Sequence, residues 1–320
     1  MITVVIPYFQ RRSGVLKRAL NSVAGQIGCP WPIDVIVVDD ASPISAEGEV
    51  ASVVCPAQMS VTIVQQQNGG PGSARNTGLE RVSDGTRYVA FLDSDDEWSS
   101  DHLARAVAAL EQGYDFYFAD LYQLGQTVGA FARAGHLHPE KHPLLAGAVD
   151  GLHKYIGDMF DQILRSNVIG TPTVVYSWQK FAAVRFRTEF TTAGEDYLFW
   201  MTLAIKGARC AFSSRVETTC GHGVNVYSGS GWGTEGHLLR VHQEIKFRLV
   251  VRKVFRLTQV QHQHVCRDLS RLRLAFVRDV LHRLSRNKPF PKGLLIAHLK
   301  IDPLTAAGFP WFVIQVLLNR

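Results

Sequence analysis

The stretch Arg87-Tyr88-Val89-Ala90-Phe91-Leu92-Asp93-Ser94-Asp95-Asp96 joins a short apolar run to a cluster of carboxylates. The run Tyr88–Leu92 predicts a strand buried on both faces of a parallel sheet, because it lacks the polar alternation of a half-exposed strand. The acids then follow the carboxyl end of that strand, which is where open α/β sheets bind ligands. The Asp-x-Asp spacing suits a hard divalent cation on a substrate diphosphate, whereas taken alone it also suits a solvated turn.

The chain around this stretch alternates apolar runs with helical patterns. Four strand–helix units fit before residue 115, which predicts an α/β protein with a doubly wound, mostly parallel sheet flanked by helices. The predicted strands are Thr3–Pro7, Asp34–Val38, Val61–Gln65, Tyr88–Leu92, Tyr114–Leu121 and Thr171–Tyr176. The predicted helices are Val15–Ala24, Ala46–Val54, Ser73–Val82, Asp101–Glu111, Leu152–Leu164 and Glu195–Lys206.

The composition is that of a folded globular protein. Hydrophobic residues make up 46% of the 320 residues and charged residues 19%, which suffices for one large or two modest domains. The first residues, Met1–Pro7, predict a strand and not a signal peptide, because they lack a basic segment and a cleavage site. No apolar segment approaches the roughly 20 residues of a spanning helix. The five cysteines form no Cys-x-x-Cys pair, so we expect a protein of the reducing cytoplasm.

Three features follow the first three predicted strands. Strand one ends at Pro7 without the Gly-x-Gly-x-x-Gly of dinucleotide-binding proteins, which argues against a dehydrogenase. Strand two ends at Asp39, whose carboxylate suits a base or ribose contact and equally suits an ordinary turn. Strand three precedes the glycine-rich segment 68–78, in which glycines let backbone approach a ligand and Arg75 supplies a charge for phosphate or carboxylate.

As a set, these motifs closely resemble family 2 glycosyltransferases of the GT-A fold. The set comprises Ile6-Pro7, Val38-Asp39-Asp40-Ala41-Ser42, Gly72-Ser73-Ala74-Arg75-Asn76-Thr77-Gly78, Phe91-Leu92-Asp93-Ser94-Asp95-Asp96 and Ala193-Gly194-Glu195-Asp196-Tyr197. The resemblance covers roughly residues 1–210. The segments 221–227 and 231–234 are also similar to exopolysaccharide glucosyltransferases of the succinoglycan type. The family implies an inverting, metal-dependent transfer from a nucleotide-sugar donor, usually a UDP-sugar.

The resemblance implies roles on the donor side of the site. Pro7 and Phe9 would border the base, and Phe9 could stack on it. Asp39 would contact the uracil, and Asp93 would bind the ribose or a metal-bound water. Arg75 and Ser94 complete this donor-binding group. Where the family often has Thr-Tyr-Asn after the proline, this chain has Tyr8-Phe9-Gln10, so a tyrosine hydroxyl contact to the base is lost.

The resemblance also implies the metal ligands and the base. Asp95 would ligate Mn²⁺ or Mg²⁺ on the diphosphate, with His222 as a further candidate ligand, and Asp196 would be the general base. The residue types fit the chemistry independently. Inverting transfer needs one carboxylate that takes the acceptor's proton, and a cation that neutralises the charge developing on the leaving diphosphate.

The sequence also predicts a division of the chain. Residues 1–220 would form the GT-A domain, with a nucleotide-binding half (1–115) and an acceptor and base half (116–220), and residues 221–320 a glycine-rich loop with a basic helical extension. Between His237 and Lys292, fourteen Lys and Arg residues stand against three acids. Apolar residues recur there at helical spacing between Leu238 and Leu284, which predicts a pair of helices.

The basic extension has two interpretations. It could pack on the core with solvated faces, or it could bind an anionic membrane surface, to which each Lys or Arg adds about 1 kcal/mol. The apolar, aromatic segment Phe309–Leu318 favours the second, since it is too short to span a bilayer but suits an interface. We therefore expect a peripheral protein on the inner face of the plasma membrane.

The leading hypothesis is transfer of a sugar, with glucose expected, to a polyprenyl-diphosphate-linked oligosaccharide during exopolysaccharide biosynthesis. A sugar nucleotidyltransferase is an alternative, but it would need a glycine-rich basic loop after strand one. A nucleic-acid-binding protein without catalysis is another, but the extension has few aromatics placed to stack on bases, so we expect no nucleic acid.

Overall fold

The computed structural model describes residues 1–147, 150–191, 193–224, 231–289 and 291–318. Two compact units divide the chain. The first comprises Met1–Thr191 with Glu195–Val224, and the second comprises Asn225–Arg320 with Thr192–Gly194. The predicted division at residues 115 and 220 concerns which residues bind the nucleotide and the acceptor, and it stays a prediction.

One mixed sheet organises the first unit. Its strands are β1 (Ile2–Tyr8), β2 (Ile33–Asp39), β3 (Met59–Gln65), β4 (Tyr88–Phe91), β5 (Glu97–Trp98), β6 (Phe116–Tyr122), β7 (Leu152–Lys154), β8 (Val175–Ser177) and β9 (Cys210–Thr219). The order in the sheet is β3-β2-β1-β4-β8-β6-β9-β5, and β7 pairs with β9. The described residues thus confirm the predicted α/β fold.

The strand directions bring the carboxyl ends of the central strands to one edge. β1 runs parallel to β2 and β4, and β2 runs parallel to β3. β8 is antiparallel to both β4 and β6, so β6 and its parallel neighbour β9 point the same way as β4. The turns after β1, β2, β4 and β6 therefore share an edge.

Helices cover both faces of this sheet. They are α1 (Val15–Ala24), α2 (Ala46–Val50), α3 (Pro71–Leu79), α4 (His102–Leu110), α5 (Ala130–Ala134), α6 (Met159–Arg165), α7 (Trp178–Phe181) and α8 (Glu195–Ile205), with 3₁₀ turns at Pro139–Lys141 and Thr171–Thr173. α3 packs tightly on β1, because a Cβ at Gly78 would overlap the side chain of Val5. Gly78 therefore permits close packing of the helix on the sheet.

One predicted helix of the first unit is wrong in its first part. Leu152–Lys154 is a strand, because Leu152 and His153 pair with Ser213 and Phe212 of β9, and helix begins only at Met159. A short apolar run does not distinguish the two states by periodicity, so the tertiary pairing decides.

The second unit is helical in its described part, as predicted. Its helices are α9 (Glu235–Val254), α10 (Gln259–Ser285), α11 (Lys292–Ile301), α12 (Pro303–Ala307) and α13 (Phe309–Leu318). α10 begins with a capping box, in which Thr258 and Gln261 exchange side-chain and backbone hydrogen bonds. Among the described helices, none has both the length and the apolar character to cross a membrane.

Buried acids of the second unit are paired with cations. Asp302 accepts two hydrogen bonds from Arg273, both at 2.7 Å, and a third from the Thr305 hydroxyl at 2.8 Å. Asp279 accepts from Arg283 at 3.0 Å and lies 2.7 Å from Nδ1 of His237. Two arginines of the basic segment are therefore paired inside the unit and do not contribute free positive charge to its surface.

Candidate active site

The acids after β4 lie at the predicted sheet edge. Arg75 Nη2 donates to Asp93 Oδ1 at 2.7 Å, and the backbone N–H of Gly221 donates to Asp96 Oδ1 at 3.0 Å. Asp95 lies between them, partly exposed. The turn that carries the three carboxylates is therefore fixed on one side by α3 and on the other by the segment after β9.

Crowding and burial act on the protonation of these acids. Burial, with the charge of Asp93, raises the pKa of Asp95 to about 6. Burial and the charges of Asp93 and Asp95 raise the pKa of Asp96 well above its ordinary value. Like charges held together in this way are relieved by a cation. The chemistry of the donor set therefore fits a divalent ion at Asp95.

The glycine-rich segment after β9 lies directly on Asp95. A Cβ at Gly223 would overlap the Asp95 carboxylate, so this close approach requires glycine. His222 stands between Gly221 and Gly223 with its side chain exposed. Within the part of the chain that the structure describes, no three His, Cys, Asp or Glu side chains are grouped to hold a metal. The metal roles of Asp95 and His222 stay predictions.

The two acids after β2 are already occupied by backbone donors. Asp39 accepts from the N–H groups of Ser42 and Ala46 at 2.8 and 3.1 Å. Asp40 accepts from the N–H groups of Gly69 and Gly70 at 2.8 and 2.9 Å. The predicted uracil contact of Asp39 would use a lone pair beyond these two bonds. The glycine-rich turn, predicted to approach a ligand, here provides donors for Asp40.

Gln10 joins three loops at this edge and was not predicted as a site residue. Its backbone N–H donates to Ser42 Oγ at 2.9 Å, and its Nε2 donates to Ser94 Oγ at 3.1 Å. Gln10 and Ser94 are buried, whereas Pro7 and Phe9 before them are partly exposed. In the sequence, its position directly after Phe9 indicated that Gln10 could belong to the site. Its hydrogen-bond partners depend on the fold.

Arg75 connects the acidic turn to the start of α8. Arg75 is 4% exposed, and its guanidinium donates to Asp93 and, at 3.2 Å, to Glu195 Oε1. The other oxygen of Glu195 has no hydrogen-bond partner among the described residues. Burial, with the charge of Asp196, raises the pKa of Glu195 to about 7 even though Arg75 opposes the shift. Arg75 thus faces carboxylates, one of the two alternatives that the sequence left open.

Asp196 lies at the beginning of α8, partly exposed and fixed by two donors. The Thr171 hydroxyl donates to its Oδ2 at 3.1 Å, and the backbone N–H of Tyr197 donates to its Oδ1 at 2.8 Å. Burial raises the pKa of Asp196, while Arg75 and these donors oppose the rise. The sequence predicted the ionising influence of the helix start and missed the larger opposing influence of burial. Thr171, more than 20 residues away in sequence, was also missed.

The 3₁₀ turn that carries Thr171 is itself held by the rest of the unit. The Pro172 carbonyl accepts from the indole N–H of Trp98 at 2.5 Å. The Thr173 hydroxyl accepts from the backbone N–H of Ala119 at 3.1 Å. Trp98 lies two residues after the acidic turn. The 3₁₀ turn at Thr171–Thr173 therefore bonds both to Asp196 and to a residue close in sequence to Asp95.

This fold and this set of motifs define a GT-A glycosyltransferase, and comparison with known proteins identifies the family. The chain belongs to glycosyl transferase family 2, whose profile matches residues 3–172. The succinoglycan biosynthesis protein ExoW of Rhizobium meliloti (strain 1021) is 33% identical over 230 residues, which are 71% of this chain and 70% of that protein.

Solved structures show the same fold. TarS 1-349 of S. aureus in complex with UDP-GlcNAc has a TM-score of 0.57 and 20% identity, covering 87% of this chain and 72% of its own. The mannosyltransferase PcManGT of Pyrobaculum calidifontis, in complex with GDP-Man and Mn²⁺, has a TM-score of 0.54 and 16% identity, covering 99% of this chain and 86% of its own. The predicted GT-A fold is thereby confirmed.

Proposed function

We propose that this protein is an inverting, metal-dependent glycosyltransferase that uses a UDP-sugar donor, with Asp196 as its general base. One observation carries the proposal: Arg75 hydrogen-bonds both Asp93 of the acidic turn and Glu195, the neighbour of Asp196. One buried side chain therefore connects the acidic turn to the residue that precedes the base at the start of α8. The UDP-sugar complex of TarS, which shares the fold, supports the choice of donor.

Different residues of this chain act on the acceptor and on the donor. Asp196 accepts the proton of the acceptor hydroxyl while that oxygen attacks the anomeric carbon from the face opposite the diphosphate. Thr171 orients the accepting carboxylate through its hydrogen bond to Oδ2. On the donor side Phe9 stacks on the base and Asp39 contacts it.

The ribose and diphosphate contacts involve the acidic turn. Asp93, oriented by Arg75, would bind the ribose, and Asp95 would hold Mn²⁺ or Mg²⁺ with His222 as a candidate second ligand. A bound divalent cation would neutralise the charge that develops on the diphosphate. The Mn²⁺ complex of PcManGT supports this assignment.

The acceptor is proposed to be a lipid-linked oligosaccharide in exopolysaccharide biosynthesis. The similarity to ExoW, a succinoglycan biosynthesis protein, supports a role in polysaccharide biosynthesis. Glucose is the sugar that we propose. A polyprenyl-diphosphate acceptor lies in a membrane, so the enzyme would work on its inner face as a peripheral protein. Residues 1–115 would bind the nucleotide, residues 116–220 the acceptor, and the basic helical unit the anionic surface.

A screen of nucleotide-sugars tests the donor and the metal together. We expect Mn²⁺- or Mg²⁺-dependent release of UDP from one UDP-sugar, and protection of the protein against thermal unfolding by the same compound. The Asp95→Asn variant serves as the matched negative control. No turnover and no protection with any nucleotide-sugar, in the presence of either metal, would reject the proposal.

A further inference from the structure

The end of the second unit exposes an unusual amount of apolar side chain. We define the α11–α13 surface by its exposed large apolar residues. They are Ile296 (57% exposed), Leu299 (39%), Leu304 (58%), Trp311 (61%), Ile314 (50%), Leu317 (56%) and Leu318 (79%). Apolar patches of this kind on a soluble unit mark a surface that something else covers.

Helix α13 has almost no polar face. Of its ten residues only Gln315 is polar, and only Val316 is buried. Trp311, Ile314 and Leu318 are spaced i, i+3 and i+7, so they form one exposed stripe. A helix that is apolar all round ordinarily lies inside a protein or a bilayer. At about 15 Å, α13 is half the thickness of a bilayer core, so its length suits lying in the interface and not spanning it.

Helix α11 adds positive charge to the same surface. Lys292, Ile296, Leu299 and Lys300 are spaced i, i+4, i+7 and i+8 and are all exposed, so they share one face. Neither lysine forms an ion pair with a residue that the structure describes. Lysines beside exposed apolar residues can bury their methylene stems in lipid and keep the ammonium at the headgroups.

The segment that forms this surface contributes no exposed negative charge. Between residues 280 and 318 the one acid is Asp302, which is buried and doubly hydrogen-bonded to Arg273. The complementary partner is therefore apolar at its centre and anionic at its rim. A second copy of this chain fits poorly, because both sides of a two-fold interface would present Lys292 and Lys300, and residues 280–318 of neither copy would supply an exposed acid to pair with them. An anionic lipid bilayer has both required properties.

We propose that the α11–α13 surface inserts into an anionic membrane interface, with α13 lying in the plane of the headgroups. This inference rests on the proposed function in so far as a lipid-linked acceptor requires a membrane. It goes further because it assigns binding to three short helices and not to the arginine-rich faces of α9 and α10.

Vesicle flotation of the full-length protein tests the assignment. We expect it to float with phosphatidylcholine vesicles that contain phosphatidylglycerol, and more weakly with phosphatidylcholine alone. The double variant Trp311→Ser/Ile314→Ser should lower partitioning by about tenfold or more, because two large inserted side chains are lost. Lys292→Gln and Lys300→Gln should each cost about fivefold, on anionic vesicles only.

Matched controls lie in the same unit, outside the surface. Val254→Ser/Val260→Ser removes exposed apolar side chains of α9 and α10, and Arg252→Gln/Lys253→Gln removes exposed cations. Both should bind vesicles like the unaltered protein. Binding lost in these controls but kept in the Trp311 and Ile314 variant would overturn the inference, as would failure of the unaltered protein to float.

Two further measurements separate the alternatives. Size-exclusion chromatography should show one and the same oligomeric state with and without Trp311→Ser/Ile314→Ser. A dimer that this variant dissociates would show that a second copy covers the surface. UDP-sugar hydrolysis without vesicles should be unchanged in every variant. If no protein hydrolyses any UDP-sugar while flotation behaves as expected, the proposed function fails and this inference stands.

Discussion

Buried carboxylates occur in both units, but their surroundings differ. At the sheet edge of the first unit, Glu195 has one oxygen on Arg75 and one without a described partner, and burial raises its pKa to about 7. Inside the helical unit, Asp302 is equally buried, yet three donated hydrogen bonds and the charge of Arg273 outweigh burial and lower its pKa. The two carboxylates therefore differ in the number of hydrogen bonds that they accept.

The same contrast exists within the first unit. Glu217 is buried with His102, Arg105 and Tyr117 around its two oxygens. Burial would raise its pKa, but the hydrogen bonds from His102 and Ser213 and the charge of Arg105 lower it. A carboxylate that is fully supplied with donors has a structural role. A carboxylate that is buried with too few donors is poised for a cation or a proton, and is a functional candidate.

The largest effect should come from the base. Asp196→Asn should lower kcat by about 10² to 10⁴, because the variant cannot accept the acceptor's proton, while donor affinity stays near that of the unaltered protein. Steady-state kinetics and UDP-sugar titration measure the two quantities. Asp161→Asn, which changes a partly exposed acid in the first turn of α6, is the control and should leave kcat unchanged. Loss of donor binding with retained turnover at saturating donor would instead make Asp196 a donor ligand.

The second effect concerns Asp302, the buried carboxylate that is paired with Arg273. Asp302→Asn should lower the free energy of unfolding of the second unit by about 3 kcal/mol, since it leaves Arg273 half-buried without its counter-charge. UDP-sugar hydrolysis should persist. Urea unfolding followed by circular dichroism measures the loss. Glu244→Gln, which removes an exposed ion pair to Arg240, should cost less than about 1 kcal/mol. Equal losses in the two variants would contradict the role of donor supply.

The third effect concerns the crowded acids. Asp95→Asn should weaken Mn²⁺-dependent UDP-sugar binding by about 100-fold or more, since even outer partners of metal ligands contribute 10- to 100-fold. The fold should stay intact or gain stability. Folding raises the pKa of Asp95 to about 6, so its ionised form opposes folding at pH 7 in the absence of metal. Calorimetric titration measures the binding of the UDP-sugar, and thermal unfolding measures the stability. Retained metal-dependent binding would refute the assignment of Asp95.

The smallest effect concerns a single hydrogen bond, which the Thr171 hydroxyl donates to Asp196. Thr171→Val should lower kcat about tenfold without changing the KM for the donor, since it removes one donor from the base. That donor favours the ionised carboxylate, so its loss raises the pKa of Asp196 further. The acid limb of the pH–rate profile should therefore move to higher pH. Thr171→Ser should restore both properties, and an unchanged profile in Thr171→Val would show that Thr171 does not act on Asp196.

The sequence was sufficient for those parts of the protein that depend on local pattern and chain order. Apolar runs followed by helical periods predicted the parallel strands β1 to β4, because a strand buried on both faces must be continuously apolar. The position of Asp93, Ser94 and Asp95 at the sheet edge followed from strand direction alone. The family followed from the order and spacing of its motifs, in which each residue type has a chemical reason.

Only the tertiary structure decided which buried acids are supplied with donors. Asp39 and Asp40 look in sequence like Glu195 and Asp196, as two adjacent acids beside a regular element, yet backbone N–H groups of the distant turn at Gly69 and Gly70 reach Asp40. Thr171 and Gln10 likewise acquire their partners through loops that meet only when the sheet has formed. Hydrogen-bond supply depends on which loops share an edge, and that is a property of the folded chain and not of any window of its sequence.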